Sequence, residues 1–128
     1  MSTEIKQIST PKATQPVAPY SQAIQAGSQI WVSGQIPCDA AGNLVEGSIA
    51  DKTAACCENL KHILEAAGSS LERVVKVTIF LNSMDHFAEM NSVYVKYFGA
   101  TKPARSCVAV KELPKGVPVE IEAIALSA

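Results

Sequence analysis

The chain has 128 residues, 48% of them apolar and 18% charged, with a formal net charge of −1. That length suits one domain over residues 1–128, and the composition supplies a real core and excludes intrinsic disorder. A chain this close to neutral exerts no global pull on nucleic acid or anionic lipid, which points to small or neutral partners.

The N-terminus, "MSTEIKQIST", lacks an apolar run long enough for a signal peptide or a membrane-spanning helix. A mitochondrial presequence is Arg-rich and poor in acids, whereas this segment has no Arg and contains Glu4. The expected placement is cytoplasmic, or mitochondrial if this N-terminus belongs to a processed form. The Pro-rich stretch Pro11 to Pro19 reads as an extended arm. "QAIQAGSQIWVSGQIP" then reads as two short strands turning at Gly27-Ser28. In the second, Ile30 and Val32 alternate with Trp31 and Ser33, the pattern of a half-buried sheet, and Gly34 and Pro37 end regular pairing. "DAAGNL" is a turn.

Ser48 starts the first helix, and Ser48-x-x-Asp51 resembles a capping box with Asp in place of Glu. Ile49, Thr53, Cys56/Cys57, Leu60, Ile63/Leu64 and Ala67 recur at helical spacing, and Gly68 ends the run as a C′ glycine. "RVVKVTIFL" is a strand, with Val75, Val77, Ile79 and Leu81 expected on one face. Ser83 is the N-cap expected for a second helix whose buried stripe is Phe87, Met90, Tyr94 and Phe98, and Gly99 closes it. Strands follow at Ala104–Val110 and Val119–Leu126, separated by the "LPKG" loop.

The order β-β-α-β-α-β-β packs most economically as an α+β two-layer sandwich, a mixed sheet with both helices on one face. Some strands, Val74–Leu81 above all, are apolar on both faces. Two helices cover one face only, so an oligomer is expected to bury the other.

Four cysteines, Cys38, Cys56, Cys57 and Cys107, form no CxxC pair, and neither His62 nor His86 sits at a matching spacing. The expectation is no metal site. Adjacent Cys56 and Cys57 on a helix are badly placed to bridge each other, and all four read as reduced thiols.

Two features carry chemistry. In "VEIEAIAL", Glu120 and Glu122 alternate with apolar residues, so period two puts both carboxylates on one face about 7 Å apart. In "KPARSCVAV", Arg105 lies in a strand whose other residues favour burial. Arg105 and Glu120 could form a plain ion pair. They could instead flank a pocket in which Arg forks a substrate carboxylate and Glu handles protons. Cys107 has no His near it in sequence, and a buried structural thiol is the stronger reading than a nucleophile. A Gly-rich phosphate loop, a GxSxG elbow and an RNA-binding aromatic motif are all missing from the sequence.

Together "VSGQIP" (Val32–Pro37), "PARSCVAV" (Pro103–Val110), "LPKG" (Leu113–Gly116) and "EIEAIA" (Glu120–Ala125) resemble the RidA, or YjgF-type, family of reactive-intermediate deaminases. The likeness runs from Pro19-Tyr20 to the C-terminus, and "NLVEGSIADK" and "HFAEMNSVYVKYF" resemble the fungal cytosolic branch. The resemblance implies a chorismate-mutase-like fold assembled as a homotrimer with a central barrel, helices outside and active sites between subunits. It implies hydrolysis of 2-iminobutanoate and 2-iminopropanoate, products of pyridoxal-phosphate enzymes, to 2-keto acids and ammonia, with no cofactor. By resemblance Arg105 grips the substrate carboxylate and Glu120 positions water and shuttles protons. Cys107 contacts substrate through its backbone, Tyr20 and Asn91 line the pocket, and Ser33 and Gly34 form its backbone wall. Family members are also described as endoribonucleases or translation inhibitors, and as oxidation-activated chaperone-like proteins. The charge of −1 and the scarcity of aromatics argue against nucleic acid as a partner. A generic holdase has no use for an arginine in a cleft.

Overall fold

Six strands and two helices make up the computed structural model, which describes residues 4–128. The reading of the N-terminus falls partly on residues 1–3, outside the described residues. The elements are β1 (Ile5–Ile8), β2 (Ala23–Ala26), β3 (Gln29–Gln35), α1 (Ile49–Ala66), β4 (Val74–Leu81), α2 (Phe87–Phe98), β5 (Ala104–Ala109) and β6 (Val119–Leu126). One mixed sheet runs in the order β1-β2-β3-β6-β4-β5. Every pairing is antiparallel except β4 with β5, the two strands that α2 connects. A parallel pair needs such a crossover, whereas Gly27, at φ +60, lets β2 and β3 join through a tight turn.

The helices form where the sequence places them. Ser48 Oγ accepts from the Asp51 N–H at 3.1 Å, and the Ser48 N–H donates to Asp51 Oδ2 at 3.2 Å, completing the capping box. Gly68, at φ +77, ends α1 in a Schellman turn: its N–H bonds the Glu65 carbonyl, and the Ser69 N–H bonds that of Leu64. Ser83 caps a short 3-10 turn, Met84–His86, which leads into α2. The two helices are tied by Glu89, whose Oε2 accepts the Ala50 N–H in the first turn of α1 at 3.0 Å. That donor has no partner within its own helix, so a carboxylate there satisfies both the bond and the helix dipole.

Both helices lie on one face of the sheet and close the core over it. Ile30, Val77, Ile79, Leu81, Val119 and Ile121 from the sheet meet Leu60, Ile63, Met90 and Phe98 from the helices, all essentially without solvent contact. The opposite face carries Trp31 beside Ile124, with Phe80, Val108 and Leu126. Trp31 remains 48% exposed. This is the bare face expected from the sequence, although β4 contributes Lys76 and Thr78 to it as well as Phe80.

Three expectations are corrected. The strand β1 was not foreseen; its residues are mostly exposed, so "IKQI" carries no burial pattern and forms only by pairing with β2. Val75 does not share a face with Val77, Ile79 and Leu81. A bulge between Val74 and Lys76 turns Val74 into the core and leaves Val75 43% exposed. The β5 pairing stops at Ala109, one residue before the Val110 expected.

Candidate active site

Arg105 sits on β5, the edge strand, in register with Val77 of β4, and so points toward the helices. There α2 presents Phe87, Asn91 and Tyr94, spaced four and three residues apart and hence on one side of the helix. The Arg105 Nη1 donates to Asn91 Oδ1 at 2.6 Å. Its Cζ lies 4.7 Å from the centroid of the Tyr94 ring and 5.6 Å from that of Phe87. A cleft of about 310 Å³ opens here, with Asn91, Tyr94, Phe98, Lys102, Pro103 and Arg105 on its walls. Cys107, two residues along, faces the same way in register with Ile79 and is half-buried. Burial pushes its thiol up, against a smaller opposing pull from Arg105. The proton stays on sulfur at neutral pH, which disfavours a thiolate nucleophile.

Glu120 belongs to a second group. It pairs with Phe80 and so faces away from the helices, on the open side of the sheet. A bulge in β3 between Val32 and Gln35 contains Ser33 and Gly34, and Gly34 lies against it. The Glu120 carboxylate lies over Gly34 so closely that a Cβ there would stand 2.6 Å from Oε2. Ser33 Oγ donates to the Ser21 carbonyl at 2.7 Å, and its N–H bonds the Gln22 carbonyl, fixing the segment that carries Tyr20. Tyr20 is half exposed and shares a cleft with Gly34, Cys38 and Lys115. Burial, and then the charge of Glu122, raise the Glu120 carboxyl above its ordinary range. A carboxyl so placed can exchange a proton nearer neutrality.

The sequence-derived residues therefore fall into two sets: Arg105, Asn91 and Cys107 on the helix side, and Tyr20, Ser33, Gly34 and Glu120 around the β3 bulge. The ion pair between Arg105 and Glu120 left open by the sequence does not exist within one chain, because the register puts the two side chains on opposite faces of the sheet. Phe87 and Tyr94 read from sequence only as core stripe. Their fourfold and threefold spacing about Asn91 was the signal that they also face Arg105. Among the described residues no group of three or more His, Cys, Asp or Glu is placed to hold a metal.

The subunit is of the α+β class, a mixed six-stranded sheet with two helices on one face, and it carries Arg105 on the helix side and Glu120 on the other. Within that class, the chain belongs to the RidA (YjgF) family: the family model described as Endoribonuclease L-PSP matches residues 10–127. The chain is 54% identical over 125 residues to Protein HMF1 of Saccharomyces cerevisiae, covering 98% of this chain and 97% of that protein. It is 43% identical over 122 residues to the 2-iminobutanoate/2-iminopropanoate deaminase of Mus musculus, covering 94% and 90%. The crystal structure of Escherichia coli TdcF with bound serine superposes with a TM-score of 0.90 at 38% identity, covering 96% and 99%.

Proposed function

We propose that the protein is an imine hydrolase that converts 2-iminobutanoate and 2-iminopropanoate to 2-keto acids and ammonia. The observation that carries this reading is the split site. Arg105 is held ready for an anion, Glu120 is tuned to move a proton, and one subunit cannot bring them together. A second copy can, so the functional unit is a homotrimer with sites between subunits, and the open sheet faces close a central barrel. The deaminase name of the mouse relative and the serine bound to TdcF support a small amino-acid-like substrate.

In the reaction Arg105 pairs with the substrate carboxylate, using N–H groups not taken by Asn91. Glu120 accepts a proton from a water as its oxygen bonds the iminium carbon. That proton then passes to nitrogen; the regenerated Glu120 carboxylate takes the remaining hydroxyl proton as the C–N bond breaks and the carbonyl forms, and the departing ammonia carries that proton off as ammonium. The chemistry requires one oriented water and one proton route, which a single carboxylate can supply. No helix among the described residues is long and apolar enough to cross a membrane.

The test is release of ammonia and keto acid from freshly generated iminobutanoate and iminopropanoate. Arg105→Ala should abolish turnover and leave the fold intact. Arg105→Lys should fail almost as badly, since an ammonium cannot reproduce the planar fork. Wild-type protein that releases neither product would overturn the reading. The net charge of −1 gives the ribonuclease alternative no comparable support.

A further inference from the structure

Arg105 is held in an unusual way for a half-buried cation. Its partners are the neutral amide oxygen of Asn91 and the faces of two neutral rings, Tyr94 at 4.7 Å and Phe87 at 5.6 Å. A carboxylate in that place would hold the guanidinium still but would also neutralise it and compete with an incoming anion. Aromatic faces attract a cation through their quadrupole and leave its charge available. All three partners come from one side of α2, so the helix acts as a single rigid mount.

Tyr94 shows which of its parts is in use. The residue is 9% exposed, and its hydroxyl is buried with no hydrogen-bond partner. The hydroxyl lies near Arg105, which opposes the rise that burial gives its pKa, but no hydrogen bond of good geometry joins the two, so the ring face is the contact that the geometry defines. The ring packs on Phe98, 4.8 Å between centroids, and lies against Arg105. Burial also holds the phenol protonated, so it stays neutral beside the cation.

We propose that Tyr94, with Phe87 as the second ring, is a positioning residue for the proposed deaminase. It fixes the guanidinium plane of Arg105 so that the N–H edge left free by Asn91 meets the substrate carboxylate. This rests on the functional reading above, and it assigns to the rings a task beyond filling the core. A positioning residue for carboxylate binding should change affinity more than chemistry.

The experiment measures kcat and KM for imino-acid hydrolysis and, separately, binding of 2-ketobutanoate by calorimetry. The proteins are Tyr94→Leu, Tyr94→Phe, Phe87→Leu and Arg105→Ala, each checked for native circular dichroism. Tyr94→Leu should raise KM and the 2-ketobutanoate Kd about tenfold with kcat changed less than about threefold. Tyr94→Phe should restore wild-type affinity, because the ring is what acts. Phe87→Leu should give a smaller rise of the same kind, and it carries the test if Tyr94→Leu does not fold. Unchanged KM and Kd in folded Tyr94→Leu and Phe87→Leu, with Arg105→Ala inactive, would overturn the positioning role alone. So would a Tyr94→Phe variant as weak as Tyr94→Leu, since the hydroxyl would then be the working group. Wild-type turnover by Arg105→Ala would instead overturn the functional reading itself.

Discussion

The Glu120 carboxylate packs closely over Gly34, and their closeness makes a sharp prediction. The backbone at Gly34 is outside the left-handed region, so alanine can adopt it, but the new methyl would displace the Glu120 carboxylate. The displaced atoms are the free end of a flexible side chain. Gly34→Ala should therefore fold and melt close to wild type while losing at least about tenfold in kcat, of the order that a misplaced catalytic group costs. Full activity would show that the carboxylate's seat does not matter. Glu120→Gln should lose about 10²–10⁴-fold in rate, with KM much less affected. The pH dependence has a definite sign. Glu120 must be ionised to take a proton from water, so activity falls as pH drops through its pKa. Burial and Glu122 both raise that pKa, which moves the acid limb of kcat/KM upward. Glu122→Gln removes the second cause and should shift the limb to lower pH, though burial, the larger cause, remains. A limb that stays in place would mean that the Glu122 charge does not act on the titrating group. Cys107→Ser should lose less than about tenfold, because the thiol is held protonated and the backbone it leaves intact makes the expected contact.

At the scale of elements, what could be read from the sequence was what depends on neighbours along the chain. Ser48 and Asp51 are three residues apart, and their reciprocal bonds form as the motif requires. Ser48→Ala should lower stability by about 1 kcal/mol, seen as a reduced Tm at fixed subunit concentration. An unchanged Tm would show that Glu89, which reaches the Ala50 N–H from α2, holds that end of α1 by itself. The stripe of α2 and all of β6 were legible for the same local reason. The bulges were not. Period two carried through "RVVKVTIFL" misplaces Val75, because a bulge depends on how β4 meets β6 rather than on the residues of β4 alone. The strand β1 escaped because its partner, β2, supplies the ordering that its own side chains lack. The faces of Arg105 and Glu120 were hidden likewise. Each strand's alternation was visible, but which phase of β5 matches which phase of β6 is set by the registers of both on β4.

At the scale of the whole molecule the proposed mechanism makes its strongest claim, that the two half-sites meet across a subunit boundary. The open sheet face, with Trp31, Ile124, Phe80 and Leu126, supplies an apolar reason to associate. Sedimentation at micromolar concentration should show a trimer. Subunit mixing then tests whether the site is shared. Arg105→Ala and Glu120→Gln should each be inactive as pure assemblies. In a trimer containing both variants, cyclic symmetry gives three boundaries, and at one of them an intact Arg105 faces an intact Glu120. Equal amounts unfolded and refolded together should make about three quarters of the trimers mixed, each with one working site of three, so activity should recover to about a quarter of wild type. If Arg105 and Glu120 acted within one chain, every chain would still lack one of them and mixing would recover nothing. Recovery near a quarter supports the shared site, and none, in trimers shown to contain both variants, would confine catalysis to a single subunit and sink the proposed mechanism.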